Sequence, residues 1–235
     1  MKNNFIMRKS LPLALSSILF AILFYTPAAR AQTTVQPLIT WKTTGSYIPS
    51  FYQGKAFPTY GSKITASIEI ISEGKIANLQ SQTIYWYVNG TLIGGGAGVQ
   101  QITFPVIGAS PNVQILKASL PSWSGGSIAP SVQIPMVNPV AVIYSPYPGG
   151  EFSASTISAK ALPYFFNISS PNDLSYTWSA NGQDGSNTEN PDTAQIILPQ
   201  GTQSGTNVNV GLTISNNKDS TAATASTDLT YVSSL

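Results

Sequence analysis

Six aromatic side chains fall close together near the start of this chain: Trp41, Tyr47, Phe51, Tyr52, Phe57 and Tyr60. Aromatic faces can stack on sugar rings or anchor a partner protein. With Pro49 and Pro58 among them, they read as an irregular segment ahead of the first clear strand. The simpler reading is that the segment folds over the neighbouring domain and buries its own rings, since aromatics in soluble domains are mainly buried. A ligand or partner surface on these six rings is the other reading. A second candidate is the oxygen-rich stretch over residues 184–192, Asp-Gly-Ser-Asn-Thr-Glu-Asn-Pro-Asp. Oxygens at alternate positions suit Ca2+, but the stretch lacks the sixth-place glycine and the closing glutamate of an EF-hand loop. It reads as a solvated hairpin loop. The run Gly94-Gly95-Gly96-Ala97-Gly98 has neither the lysine nor the following helix of a phosphate cradle, and reads as a flexible hairpin loop.

Missing residue types narrow the chemistry further. The chain has no histidine and no cysteine. That removes the commonest general base, the Ser-His-Asp triad, imidazole and thiolate metal sites, and disulfides. The acids are scattered, and no pair is placed for glycosidase work. No catalytic residue, metal site or cofactor is expected. Asn89-Gly90-Thr91 and Asn167-Ile168-Ser169 are formal glycosylation sequons. Lys63 and Lys160, near early strands, are compatible with a Lys–Asn isopeptide bond without being specific for one.

The N-terminus reads as an address. Lys2, Arg8 and Lys9 precede an apolar run over residues 11–25, followed by Pro27 and the small-residue pattern Ala29-Arg30-Ala31. This is the layout of a secretory signal peptide over residues 1–31. The run is shorter than the ~20 residues of a spanning helix. An uncleaved leader would instead retain the chain at the membrane. Past residue 31, seven lysines face nine acids, so no basic stripe for nucleic acid remains. The expected location is secreted, periplasmic or at the cell surface.

Self-comparison gives the organisation. Trp-x-x-Asn-Gly occurs at Trp86 to Gly90 and again at Trp178 to Gly182, an offset of 92. Gln101-Ile102-Thr103-Phe104-Pro105 matches Gln195-Ile196-Ile197-Leu198-Pro199 at an offset of 94. Asn112-Val113-Gln114-Ile115 matches Asn207-Val208-Asn209-Val210 at 95. Three blocks in order imply a duplicated domain: residues 32–138, with the aromatic segment at their start, and residues 139–235. Prolines 135, 139, 146 and 148 punctuate the boundary.

Each unit reads as strands. Residues 63–70 alternate apolar and polar, the mark of a half-buried strand. Residues 83–88 and 174–180 are aromatic and β-branched, and both end at Asn-Gly, a hairpin signal. Residues 113–120, 140–144, 208–214 and 225–232 complete the pattern, and no amphipathic helix of useful length appears.

Short strands at even spacing, with one tryptophan on a central strand, suggest an all-β chain of two tandem sandwiches. Tyr176-Thr177-Trp178-Ser179-Ala180-Asn181-Gly182, followed by Val208-Asn209-Val210-Gly211-Leu212-Thr213-Ile214, resembles the immunoglobulin-like superfamily and within it the polycystic-kidney-disease (PKD) type. The aspartate of that family's turn is replaced by Asn181-Gly182. The resemblance implies a fold and no ligand. The whole chain looks like secreted two-domain sandwich proteins of bacteria, which implies a surface or adhesion component. Trp86 and Trp178 are the expected core pins. The expected role is non-enzymatic, with an unknown protein or glycan partner. A carbohydrate-binding module on residues 41–60 is the alternative, and open sandwich edges would permit self-assembly.

Overall fold

The computed structural model describes residues 35–233 apart from 107, 109–112, 125, 186 and 188. The expected leader, residues 1–31, lies outside the described residues.

Strands β1 (Val35–Thr44), β2 (Lys63–Ser72), β3 (Lys75–Ile76), β4 (Thr83–Val88), β5 (Thr91–Ala97), β6 (Gln101–Pro105), β7 (Val113–Ser119) and β8 (Ser131–Pro135) come first. They form two sheets: β1 and β6 flank β2, which also carries β3, and the second sheet runs β5-β4-β7-β8. Ile64, Ala66, Ile68 and Ile70 of β2 alternate inward and meet Ile84, Trp86 and Leu116 of the other sheet in one core. Period-2 alternation thus yields a sandwich, because one face of each sheet is apolar.

Strands β9 (Val140–Tyr144), β10 (Glu151–Phe152), β11 (Thr156–Tyr164), β12 (Ser175–Ala180), β13 (Gln183–Gly185), β14 (Thr193–Ile197), β15 (Asn207–Asn216) and β16 (Thr221–Tyr231) follow, with a 3-10 turn at Pro171–Asp173. Their sheets run β14-β11-β9 and β10-β16-β15-β12-β13. Between them lies a second core of Ile157, Phe166, Trp178, Val210, Leu212 and Ile214 among others. Both sandwiches share one route: β1, β2 and β6 correspond to β9, β11 and β14 in one sheet, and β4, β5, β7 and β8 to β12, β13, β15 and β16 in the other, with β3 and β10 as additions; pairing is antiparallel throughout except for β10 on β16. This is the immunoglobulin-like arrangement. The two cores sit within one compact unit, Val35–Leu235.

The two tryptophans sit alike. Trp86 is fully buried and Trp178 nearly so. The Trp86 indole N–H donates to Val99 O at 2.9 Å, and that of Trp178 to Pro191 O at 3.1 Å. Three residues on, Asn89 and Asn181 take φ of 49° and 50°, which asparagine tolerates better than most residues. Each side-chain carbonyl accepts a backbone N–H from the neighbouring strand at 2.8 Å, from Ile115 and from Asn209. These bonds pair Ile115 with Asn209, an offset of 94 rather than the 95 of the third sequence block. The correction matters because a one-residue slip exchanges the faces of a strand. Gln114 points into the first core, hydrogen-bonded to Asn89 Nδ2 at 3.3 Å and to Met136 Sδ at 3.1 Å, and Ile115 points out.

The glycine run also departs from expectation. Gly94, Gly95 and Gly96 are not a loop; they lie in β5 and pair with Trp86, Tyr85 and Ile84. A Cβ on Gly95 would come within 2.4 Å of the Ile84 carbonyl and 2.8 Å of Tyr85 Cα. Glycine is there because backbone approaches backbone, next to a register shift between Trp86 and Tyr87.

Candidate functional site

The aromatic segment does not stay outside the strands. Trp41 belongs to β1 and pairs with Ala66, so the first strand begins well before Lys63. Its ring packs on the first core, tilted against Phe57 at 6.3 Å. Lys55 Nζ sits 3.2 Å from the Trp41 ring centroid, and burial lowers the pKa of this ammonium. Burial of a cation against an indole face is a cation–π contact.

The next rings turn to the second sandwich. Tyr47 packs on the second core. Its backbone N–H donates to Phe166 O at 2.8 Å, and Phe165 N–H donates to Tyr47 O at 2.6 Å. Tyr52 lies 5.7 Å from Tyr164 and 6.1 Å from Phe165, both edge-on, and Phe57 lies 6.3 Å from Phe165. Pro58 O accepts from Val137 N–H at 3.0 Å. The Asn167 amide packs against Gly61, where any Cβ would overlap it. Residues 41–61 therefore touch both cores and form an aromatic joint. Phe51 and Tyr60 stay exposed, at 62% and 49%. Of the six rings singled out in the sequence, these two are the ones free to stack on a ligand.

Sequence reasoning missed the other half of the joint, Tyr164, Phe165 and Phe166. The signal was present: three consecutive aromatics break the alternation of β11 at its end. Phe165 takes φ of 61°, an outlier for a bulky residue. Strain of this kind persists only where surroundings over-determine it, and here two backbone bonds and three ring contacts do so.

Beside the joint lies an apolar sheet face. Val140, Val142 and Tyr144 of β9 point outward, 43%, 39% and 58% exposed. They stand opposite Tyr164, Leu162 and Lys160 of β11. Tyr52 extends this face by its contact with Tyr164.

Tyr176 lies behind the joint on β12. Its hydroxyl donates to Pro171 O at 2.9 Å. Burial, with smaller contributions from Asp192 and Tyr47, pushes its pKa up to about 12. An unfolded phenol ionises near 10. From pH 10 to 12 the unfolded chain has released a proton that the folded chain keeps, so stability falls as pH rises through that window. The expected loss is on the order of 1 kcal/mol, reduced because the ring is partly solvated. Urea titrations at pH 9 and pH 11.5 check it: Tyr176→Phe should narrow the gap between the two midpoints.

The remaining candidates are spent locally. Asn187 Oδ1 accepts from Glu189 and Asn190 N–H, both at 3.1 Å, so the acidic loop caps its own backbone. No group of three acids that could hold a metal occurs among the described residues. Lys160 Nζ is 3.7 Å from Asp192 Oδ2, both exposed to solvent. The sequon asparagines, 89 and 167, have their amides turned into protein contacts.

No family model matches the chain, and no curated protein matches it. Among solved structures, the fibronectin(III)-like modules of Clostridium thermocellum CbhA align at 16% identity over 83% of this chain and 94% of that one, with a TM-score of 0.29. The three N-terminal domains of the bacteriophage RB49 highly immunogenic outer capsid protein align at 11% identity over 86% and 71%, with a TM-score of 0.31. A Bacteroides ovatus protein of a mixed-linkage glucan utilization locus, SGBP-B, solved with a mixed-linkage heptasaccharide, aligns at 10% identity over 84% and 47%, with a TM-score of 0.27. None of these alignments assigns a ligand or an activity to this chain.

Proposed function

We propose that this chain is an exported, non-enzymatic interaction protein. Its two sandwiches, residues 32–138 and 139–235, are tandem domains locked at the aromatic joint, and they present sheet faces and edges to a partner at the cell surface or in the periplasm. The joint carries the reading. Rings that would otherwise form a ligand platform are used to tie residues 41–61 to Phe165 and Phe166, through contacts that fix an angle and perform no chemistry. The leader-like N-terminus supports export, and the lack of histidine and cysteine supports a role without catalysis. The equivalent settings of Trp86 and Trp178 support duplication. A rigid pair of domains holds two surfaces at a set separation, as a spacer or adhesion component requires. The test is the spread of distances across the joint in the native chain, which must be narrow.

A glycan-binding surface on residues 41–60 is the second reading, favoured by the exposure of Phe51 and Tyr60. Saturable binding in a glycan screen, lost on Phe51→Ala and Tyr60→Ala, would place it first; a screen without any binding would remove it.

A further inference from the structure

We propose that the second sandwich carries a binding groove for a short neutral saccharide, cut between the edges of its two sheets at β13 and β14.

The two halves of the chain differ beside their core tryptophans. In each half the next strand returns along the tryptophan strand and sets a glycine opposite the indole: Gly94 pairs with Trp86, and Gly185 with Trp178. In the first sandwich this position is closed. A Cβ on Gly94 would come within 2.9 Å of Ile102 Cδ1, and Ile93 and Val99 pack on the same core. In the second it is open. A Cβ on Gly185 would meet nothing within 4 Å, although Ile196 stands on β14 where Ile102 stands on β6. Three differences in sequence account for this. β13 ends at Gly185, whereas β5 runs on to Ala97. Residues 186–192 supply no aliphatic side chain. Ala180 stands where the first sandwich has the bulkier Val88.

The result is a groove of about 590 Å³, within the range of small-molecule sites, about 300–1,000 Å³. Trp178, Ala180, Ala194 and Ile196 give it an apolar floor, and amides with one carboxylate give it polar walls. Gln183 is opposite Ala180 in the ladder, so it shares the inner face of the sheet with Ala180 and Trp178. Asn187 fixes the loop wall, because its Nδ2 donates to Thr193 O at 3.3 Å while its Oδ1 holds the Glu189 and Asn190 N–H groups. The side chains of Gln183, Glu189 and Asn190 bond to no other described residue, which leaves their donors and acceptors to a ligand.

These features select the occupant. No lysine or arginine lines the groove, so an anion would find no partner charge. A saccharide offers hydroxyls that donate and accept, as the amides do, and a C–H face for Ala194 and Ile196. An extended peptide would need free ladder positions, and β13 has only three residues. The groove shares no residue with 41–60, and it rests on neither export nor the joint.

The test is a proton–nitrogen correlation NMR titration of the purified chain with neutral hexasaccharides of glucose, mannose, xylose and galactose. Each is taken to about 10 mM, which covers the weak end of the affinity scale. At least one should shift the Trp178 indole signal and the Gln183 and Asn190 side-chain amide signals saturably. Gly185→Leu fills the space that Ile102 fills in the first sandwich and should weaken that binding at least about tenfold. Gln183→Ala removes one hydrogen-bonding partner and should weaken it about three- to tenfold. Near-ultraviolet circular dichroism checks that both variants remain folded. Phe51→Ala should bind as the native chain does, which separates this groove from the aromatic segment. A sugar site is overturned if no saccharide shifts these signals, or if Gly185→Leu binds with native strength. It is overturned too if the uncharged peptide acetyl-Ser-Val-Ser-Val-Ser-Val-amide shifts them more at equal concentration than every saccharide does.

Discussion

Trp86→Ala is expected to destabilise the protein by about 3–5 kcal/mol, the usual cost of removing a fully buried large aromatic. Trp86 is 0% exposed and sits at the centre of the first core, on the inner strand β4 of the β5-β4-β7-β8 sheet. Truncation leaves a cavity between sheets that are anchored by their own ladders and cannot collapse to fill it. It also strips Val99 O of the indole N–H that satisfies it at 2.9 Å. The neighbouring Tyr85→Ala is the internal control, because Tyr85 faces outward and is 38% exposed. It should cost about 1 kcal/mol or less beyond its β-propensity. Urea denaturation of both variants checks the contrast. Equal costs would mean that Trp86 does not hold this core.

The second large effect lies at the joint. Phe165→Ala removes ring contacts to Tyr52, Phe57 and Tyr164 and leaves a non-glycine residue at φ of 61°. The expected cost is about 2–3 kcal/mol, below the full Phe→Ala range because the ring is only half-buried. Phe165→Gly loses the same contacts but is at home in the left-handed region, which costs other L-residues about 1–2 kcal/mol. The glycine variant is therefore expected to be about 1 kcal/mol more stable than the alanine variant, the reverse of the order found at ordinary strand positions. Thermal or urea melts of the pair read this directly. An alanine variant as stable as the glycine variant or more so would show that the backbone at Phe165 is unstrained.

Local physics was readable in the sequence wherever one residue controls one outcome. β4 begins and ends where the aromatic, β-branched run does, and both Asn-Gly pairs make their turns, because positive φ is a property of those residues themselves. β2 extends only two residues past its alternating pattern. Reading failed where the decisive contact is distant in sequence. Gln114 looks like a surface residue, yet Asn89 and Met136 satisfy it inside, so sequence matching places the third repeat block one residue away from its structural register. The glycine run looked like a loop because its cause, the close passage of Ile84 and Tyr85, lies on another strand. The aromatic segment stands out in the sequence by its density of rings. Its division between two cores was not legible, because Tyr164 to Phe166 stand a hundred residues away. The strand at residues 140–144 is legible in the sequence, but the exposure of Val140, Val142 and Tyr144 is not, because an uninterrupted apolar run does not show which of its faces is covered.

The measurement that bears most directly on a fixed joint is a pulsed electron-spin distance between the two sandwiches. The absence of native cysteine allows one label on each, at Gln133→Cys and Ser226→Cys, both exposed positions. The native joint should give a single narrow distance population, and Phe165→Ala should broaden it. A broad distribution already present in the native chain would contradict a locked pair of domains, leaving the aromatic contacts as packing without a presenting role.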